Sequence, residues 1–161
     1  LTINVTKLFR NAEAWELLAR RVVPALWARP DARVRIWSAG CSTGEEPYSL
    51  AALVQAHAES LGEGARAAGR VEILGTDVDQ AALDVAARAR FADAAFAEVP
   101  EPLRDRWFAH APGAGLRVGA RDWEAAPALQ ALVRLERLDL LREPPPPGPW
   151  HLIVCRNVVI Y

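Results

Sequence analysis

A β-branched and aromatic run, Val34-Arg35-Ile36-Trp37, feeds straight into Ser38-Ala39-Gly40-Cys41-Ser42-Thr43-Gly44 and then into Glu45-Glu46-Pro47. The alternating run reads as a strand ending near Ala39-Gly40. Pro47 suits the first turn of a helix, which the pattern carries to about Glu59. Gly40 and Gly44 permit a tight turn and let a ligand approach the backbone. A strand, a glycine turn and a helix in direct succession make one half of a βαβ unit. In open α/β sheets, ligands bind at this carboxyl end of a strand.

The rest of the chain repeats the alternation. Trp15, Leu18 and Val22 share one face of a helix expected from Asn11 to about Val23, with Asn11 as its N-cap and Pro24 and Pro30 marking its end or a kink. Val71 to Leu74 reads as a second strand, closed by Gly75-Thr76-Asp77. Asp79 then caps a helix from Gln80 to about Arg90. A short helix is expected near Pro102 to Phe108, a small strand at Leu116 to Val118, and a strand at Val133 to Leu138. Pro144 to Pro147 with Gly148-Pro149 makes a stiff connector. Leu152-Ile153-Val154-Cys155 reads as a strand buried on both faces. Strands alternating with helices imply a mainly parallel sheet with flanking helices. The sheet is expected to be cut short at Tyr161, after its fourth strand. A start at Leu1 and the lack of any Met suggest a piece of a longer protein.

Several function classes are excluded by composition. The 161 residues suffice for one domain with a core. No run of about 18 apolar residues occurs, so no membrane insertion is expected. The net charge of −1 comes with dispersed Lys and Arg, which argues against nucleic acid as a partner. Cys41 and Cys155 form no CxxC spacing, and His57, His110 and His151 form no ligand motif, so no metal is expected and both cysteines read as small pocket-wall residues. The expected setting is the reducing cytoplasm.

The turn at Gly40 to Gly44 does not suit a phosphate. A phosphate loop would carry GxxxxGK[ST], with a lysine for the phosphates. Here Glu45 and Glu46 stand after the glycine, where carboxylates would repel a pyrophosphate and attract an amino group or a sulfonium. Asp77, at the end of the second strand, occupies the place where an acid accepts ribose hydroxyls. An adenosine-containing cationic ligand without phosphates fits both segments. A nicotinamide-dependent dehydrogenase fits poorly for the same reason.

Four segments together resemble the CheR family of chemotaxis receptor methyltransferases. Asn4-Val5-Thr6-Lys7-Leu8-Phe9-Arg10 resembles the family's N-x-T-x-F-F-R entrance. Arg35 to Leu50 is close to a verbatim copy of its cofactor loop. Gly75-Thr76-Asp77-Val78-Asp79 resembles its second-strand ending, and Cys155 to Tyr161 its fourth-strand signature. The resemblance implies a Rossmann-like class I methyltransferase sheet, with a small β-subdomain at about 113–132 and the family's N-terminal helical domain absent. It implies S-adenosylmethionine as cofactor and S-adenosylhomocysteine as product. The expected activity is γ-methyl esterification of glutamates on the cytoplasmic helices of chemoreceptors by a monomer, with a receptor C-terminal peptide as a further partner. Two alternatives stay open: a related methyltransferase acting on another signalling protein, and an inactive cofactor-binding regulatory module.

Roles carry over by motif position. Asn4, Thr6 and Arg10 would lie against the methionyl end of the cofactor, with Arg10 near the transferable methyl and Tyr161 facing it from the other side. Ala39, Gly40 and the following loop would line the pocket. Glu45 would face the cofactor's amino group, with Glu46 as second choice. Asp77 would hold the ribose, Asp139 and Leu140 would sit at the adenine, and Arg156 and Asn157 would lie below the fourth strand. Leu8 stands where the family has an aromatic and Asp139 where Asn is common. Ala89 and Phe91 stand where Gly and Tyr are expected.

Overall fold

The computed structural model describes residues 6–111 and 123–156. Its strands are β1 (Val34–Ala39), β2 (Val71–Asp77), β3 (Arg90–Phe91), β4 (Phe108–His110), β5 (Trp123–Ala125), β6 (Val133–Arg137) and β7 (Leu152–Val154). Its helices are α1 (Ala12–Leu17), α2 (Val23–Trp27), α3 (Glu45–Ser60), α4 (Ala67–Arg70), α5 (Gln80–Ala86), α6 (Glu101–Trp107) and α7 (Pro127–Gln130). The expected strand at Leu116 to Val118 lies outside the described residues.

The frame is a parallel sheet in the order β6-β2-β1-β7. Val34 pairs with Val71 and Ser38 with Val154, so all the strands of this sheet point their carboxyl ends to one edge. From β1 the chain runs first toward β2 and β6, then returns to place β7 on the other side of β1. The crevice above β1 and β7 is therefore a topological switch point. This is the Rossmann-like frame expected of the sequence.

Alternation along β1 sorts its side chains to two faces. Val34 and Ile36 pack with Ile73 and with Leu50, Leu53 and Val54 of α3. Trp37 and Ala39 pack on the other face with Leu74, Leu138 and Trp150. Burial of each large side chain on the α3 face is worth roughly 1.5–3 kcal/mol. Helix α3 is buried nearly all round over its first three turns, because the sheet lies on one side and the smaller sheet β3-β5-β4 on another. Tyr48 of α3 meets Phe91 of β3 edge to face, and Phe91 continues to Phe108 and Phe96. The small antiparallel sheet thus hangs on α3 by an aromatic chain. The segment around 113–132 contributes β5 to it, while β3 and β4 come from earlier in the chain.

Three local readings change. The first helix does not stop at Pro24. It widens into a π-turn over Leu18–Val22 and continues as α2, whose Val23, Leu26 and Trp27 are buried. A wider turn accommodates the ring and missing N–H of proline, and core packing carries the helix past it. Asn11 precedes α1 in left-handed backbone, and its side chain makes no cap hydrogen bond. Its own N–H instead donates to Glu98 Oε2. Finally, β7 is not buried on both faces: Val154 is buried but Ile153 is 53% exposed. Ile153 pairs with Trp37 and so lies on the thinly covered face of the sheet. The expected cap at Asp79 is present, its carboxylate accepting from the N–H groups of Ala81 and Ala82.

Candidate functional site

The turn after β1 is built on two glycines in left-handed backbone, Gly40 (φ 77°) and Gly44 (φ 96°). A Cβ at Gly44 would meet the Ala86 Cβ at 3.0 Å, so α5 can close against the turn only because the residue is glycine. The turn is fastened to β2. The N–H groups of Gly40 and Cys41 donate to the Thr76 carbonyl, and Ser42 N–H donates to Asp77 Oδ2 at 2.7 Å. Asp77 Oδ1 also accepts from Asp79 N–H at 3.0 Å. A carboxylate offers about four lone-pair positions, so Asp77 keeps capacity for a pair of hydroxyls.

Beside this turn, at the switch point, lies a cavity of about 140 Å³. Gly40, Cys41 and Ser42 form one wall, Glu45 and Glu46 its acidic side, and Arg156 enters from the end of β7. The strap before α1 adds Thr6, Lys7 and Arg10 to the lining, and α1 itself adds Trp15. Glu45 is 4% exposed. Thr43 Oγ1 donates to Glu45 Oε2 at 2.7 Å, which commits its one hydroxyl proton. Thr6 Oγ1, 3.2 Å from Thr43 Oγ1, must therefore be the donor between those two. Glu46 accepts from Ser38 Oγ at 2.6 Å. Burial pushes the Glu46 carboxyl above its ordinary value, against the opposing pull of the Ser38 hydrogen bond and the nearby Arg156. Burial also pushes the Cys41 thiol up to about 12, with Asp77 and Glu46 adding to the effect. Such a thiol is a wall and not a nucleophile.

The model of the CheR methyltransferase SAM-binding domain matches residues 4–161. The chain belongs to the CheR methyltransferase family. It is 34% identical over its whole length to a chemotaxis protein methyltransferase of Listeria innocua, of which it covers 55%. It is 35% identical to chemotaxis protein methyltransferase 1 of Pseudomonas aeruginosa, again over its whole length and 56% of the relative. A further match, 31% identical, covers all of this chain and 16% of an uncharacterized 104.1 kDa protein of Rhodobacter capsulatus. The chain thus spans about half the length of the two chemotaxis relatives.

S-adenosylmethionine is the cofactor of this CheR domain, and the charges that line the cavity suit its cationic methionyl end. A buried carboxyl whose charge is disfavoured gains from an incoming cation, and Glu46 is such a group. The turn beside it presents backbone without a Cβ at Gly40, one of the lining residues. Among the expected site residues, Thr6, Arg10, Gly40, Glu45 and Arg156 line one cavity. Ala39 lies behind its wall, buried at the end of β1. Asp77, Asp139 and Leu140 stand outside the cavity along the same sheet edge, brought together by the bond from Leu138 N–H to the Asp77 carbonyl. Leu140 and Val78 are both exposed. Asp139 caps its own turn, accepting from Leu141 N–H. Asn4, Asn157 and Tyr161 lie outside the described residues.

Lys7 and Trp15 also line the cavity and are not singled out by sequence reasoning, and Glu46 lines it beside Glu45. Trp15 shows only a core-face position in the sequence, and Lys7 falls at a variable place of the entrance motif. Among the described residues no cluster of His, Cys, Asp and Glu could hold a metal ion. No described helix is long and apolar enough to cross a membrane.

Proposed function

We propose that the full-length protein is a protein-glutamate O-methyltransferase that esterifies glutamates on the cytoplasmic helices of chemotaxis receptors. The observation that carries this is the lining of one cavity, which brings the buried Glu45 and the half-buried Glu46 together with the cations Lys7, Arg10 and Arg156. The acids suit a positively charged donor, and the cations suit an acceptor that arrives as a carboxylate. Glu45, which accepts from Thr43, and Glu46, whose carboxyl burial raises, would both face the donor's amino group. Asp77 would hold the ribose hydroxyls, and Val78 and Leu140 would flank the adenine near Asp139. Asn4 and Asn157 are proposed to complete the methionyl side.

When bound, S-adenosylmethionine supplies a methyl group on a sulfonium. The acceptor carboxylate is ionised at neutral pH, with a pKa of about 4.3, so no general base is needed. The donor would supply the methyl group to that carboxylate oxygen, its sulfur keeping the electron pair of the carbon–sulfur bond, while Glu45 and Glu46 would hold its amino end. The work of the protein is to orient and desolvate, which can supply roughly 7–11 kcal/mol in favourable geometry. Arg10 is the group that guides the carboxylate, since a guanidinium fork matches its two oxygens. Tyr161 is proposed to face Arg10 across the methyl group. The test is incubation of the full-length protein with methyl-labelled S-adenosylmethionine and receptor cytoplasmic fragments. Base-labile label on receptor glutamates is expected. Absence of label on receptors, with label on another signalling protein, would overturn the substrate assignment.

A further inference from the structure

Arg10 sits between two non-glycine residues in left-handed backbone, Phe9 (φ 54°) and Asn11 (φ 68°). Such backbone persists only where its surroundings hold it, and it tends to occur where a side chain must be aimed. The holders are visible on both sides. Leu8 N–H donates to the Ala95 carbonyl. Phe9 N–H donates to Ser49 Oγ at 3.0 Å, and Ser49 Oγ donates on to the Glu45 carbonyl at 2.7 Å, tying the strap to the first turn of α3. Asn11 N–H donates to Glu98 Oε2 at 2.9 Å. These fix the neighbours of Arg10. Arg10 itself is fixed by Trp15, whose indole Nε1–H donates to the Arg10 carbonyl at 2.8 Å.

Trp15 makes a second contact with the site. The Arg156 guanidinium carbon lies 5.8 Å from the Trp15 ring centroid, within cation–π range. The ring is itself held against Phe9 at 5.3 Å and is 3% exposed. One side chain therefore fixes the main chain of one cavity cation with its edge and seats another with its face.

We infer that Trp15 is a positioning residue of the methyl-transfer site, aiming Arg10 and seating Arg156 through its indole edge and face. The inference rests on the reading that Arg10 orients the acceptor carboxylate. If Trp15 served only as core packing, phenylalanine would replace it at little loss, because the ring contact with Phe9 would survive. If it positions Arg10, the loss of one N–H matters.

The test compares the full-length protein with its Trp15→Phe and Arg10→Ala variants. Thermal unfolding first confirms that each is folded. Hydrogen exchange is then followed over residues 8–11, the affinity for S-adenosylhomocysteine is measured by calorimetry, and kcat and KM are measured with a receptor fragment. In Trp15→Phe, exchange over residues 8–11 is expected to accelerate at least tenfold. Turnover is expected to fall about tenfold, with product affinity held within about threefold. Unchanged exchange, or accelerated exchange with wild-type kcat, would overturn the positioning role. Equal losses of kcat and product affinity would overturn it too, by making Trp15 a cofactor contact. Wild-type turnover in Arg10→Ala, beside accelerated exchange in Trp15→Phe, would place the fault in the role given to Arg10 while upholding Trp15's hold on it.

Discussion

Ser38 Oγ donates a 2.6 Å hydrogen bond to Glu46 Oε1, joining the fifth residue of β1 to the second residue of α3. The bond favours the ionised carboxylate, yet burial outweighs it and leaves the Glu46 carboxyl raised above 4.5. A group so balanced responds strongly to an added cation. Glu46→Gln keeps the shape and an acceptor for Ser38 but removes the charge. It is expected to weaken S-adenosylmethionine binding by about 10- to 100-fold, the range for a lost charge-assisted contact of roughly 1.5–3 kcal/mol. Calorimetry of the variant checks this, and wild-type affinity would remove Glu46 from the donor's surroundings.

The sign of the pH effect follows from the same group. With a folded-state pKa above the unfolded one, Glu46 favours the fold below about pH 4.5 and that contribution is lost as pH rises through the folded value. Binding of a cation runs the other way, because it needs the ionised form. Donor affinity is therefore expected to rise as pH increases through the raised Glu46 pKa, and the rise should be absent in Glu46→Gln. An identical pH profile for the two proteins would contradict it.

Arg10→Ala separates orientation from binding. Arg10 lines the cavity on a strap whose residues on either side of it are tied to α3 and to Glu98. Misplacing an acceptor by about 1 Å can cost about 100-fold in rate, so turnover is expected to fall by that order. The affinity for S-adenosylhomocysteine is expected to stay within about threefold of wild type. Steady-state kinetics beside calorimetry decides; equal losses in both would make Arg10 a binding residue only.

Much of this was legible in the sequence, for identifiable reasons. β1 and β2 carry β-branched alternation and end in glycine or acid turns, so their existence and order show locally. The cofactor turn shows because few other arrangements need Gly40, Gly44 and two acids in a row. The π-turn before Pro24 does not show, because local rules treat proline as a stop, while packing of Val23, Leu26 and Trp27 decides otherwise. The small antiparallel sheet does not show either: its strands are two or three residues long, too short for a periodicity. Nor can sequence rank Glu45 against Glu46. The two differ in what lies opposite them, Thr43 for one and Ser38 with Arg156 for the other.

Alkylation distinguishes the two cysteines. Cys41 is buried with its thiol pushed up to about 12, whereas Cys155 is exposed. The thiolate is the reacting form, and at pH 8 only about one Cys41 in ten thousand would be ionised. Iodoacetamide is expected to label the folded chain once, at Cys155, and to reach Cys41 only after denaturation. Mass spectrometry of the native reaction checks this; rapid labelling of Cys41 would show that the wall opens.

Ala89 offers the last test, one of backbone and not of chemistry. It is fully buried at φ 53°, in left-handed backbone after α5, and its carbonyl accepts from Ala125 N–H to hold β5 in place. Left-handed backbone costs a non-glycine residue about 1–2 kcal/mol. Glycine would relieve that cost, but it would lose about 0.8 kcal/mol of methyl burial and add roughly 0.5–1 kcal/mol of chain entropy. The terms nearly cancel, so Ala89→Gly is expected to leave stability unchanged within about 0.5 kcal/mol. The same substitution at Ala52, fully buried inside α3, has no strain to relieve. It should cost at least about 1 kcal/mol from helix propensity alone. Urea unfolding of the two variants side by side measures the difference, and equal destabilisation would show that the Ala89 backbone is not held in the left-handed region.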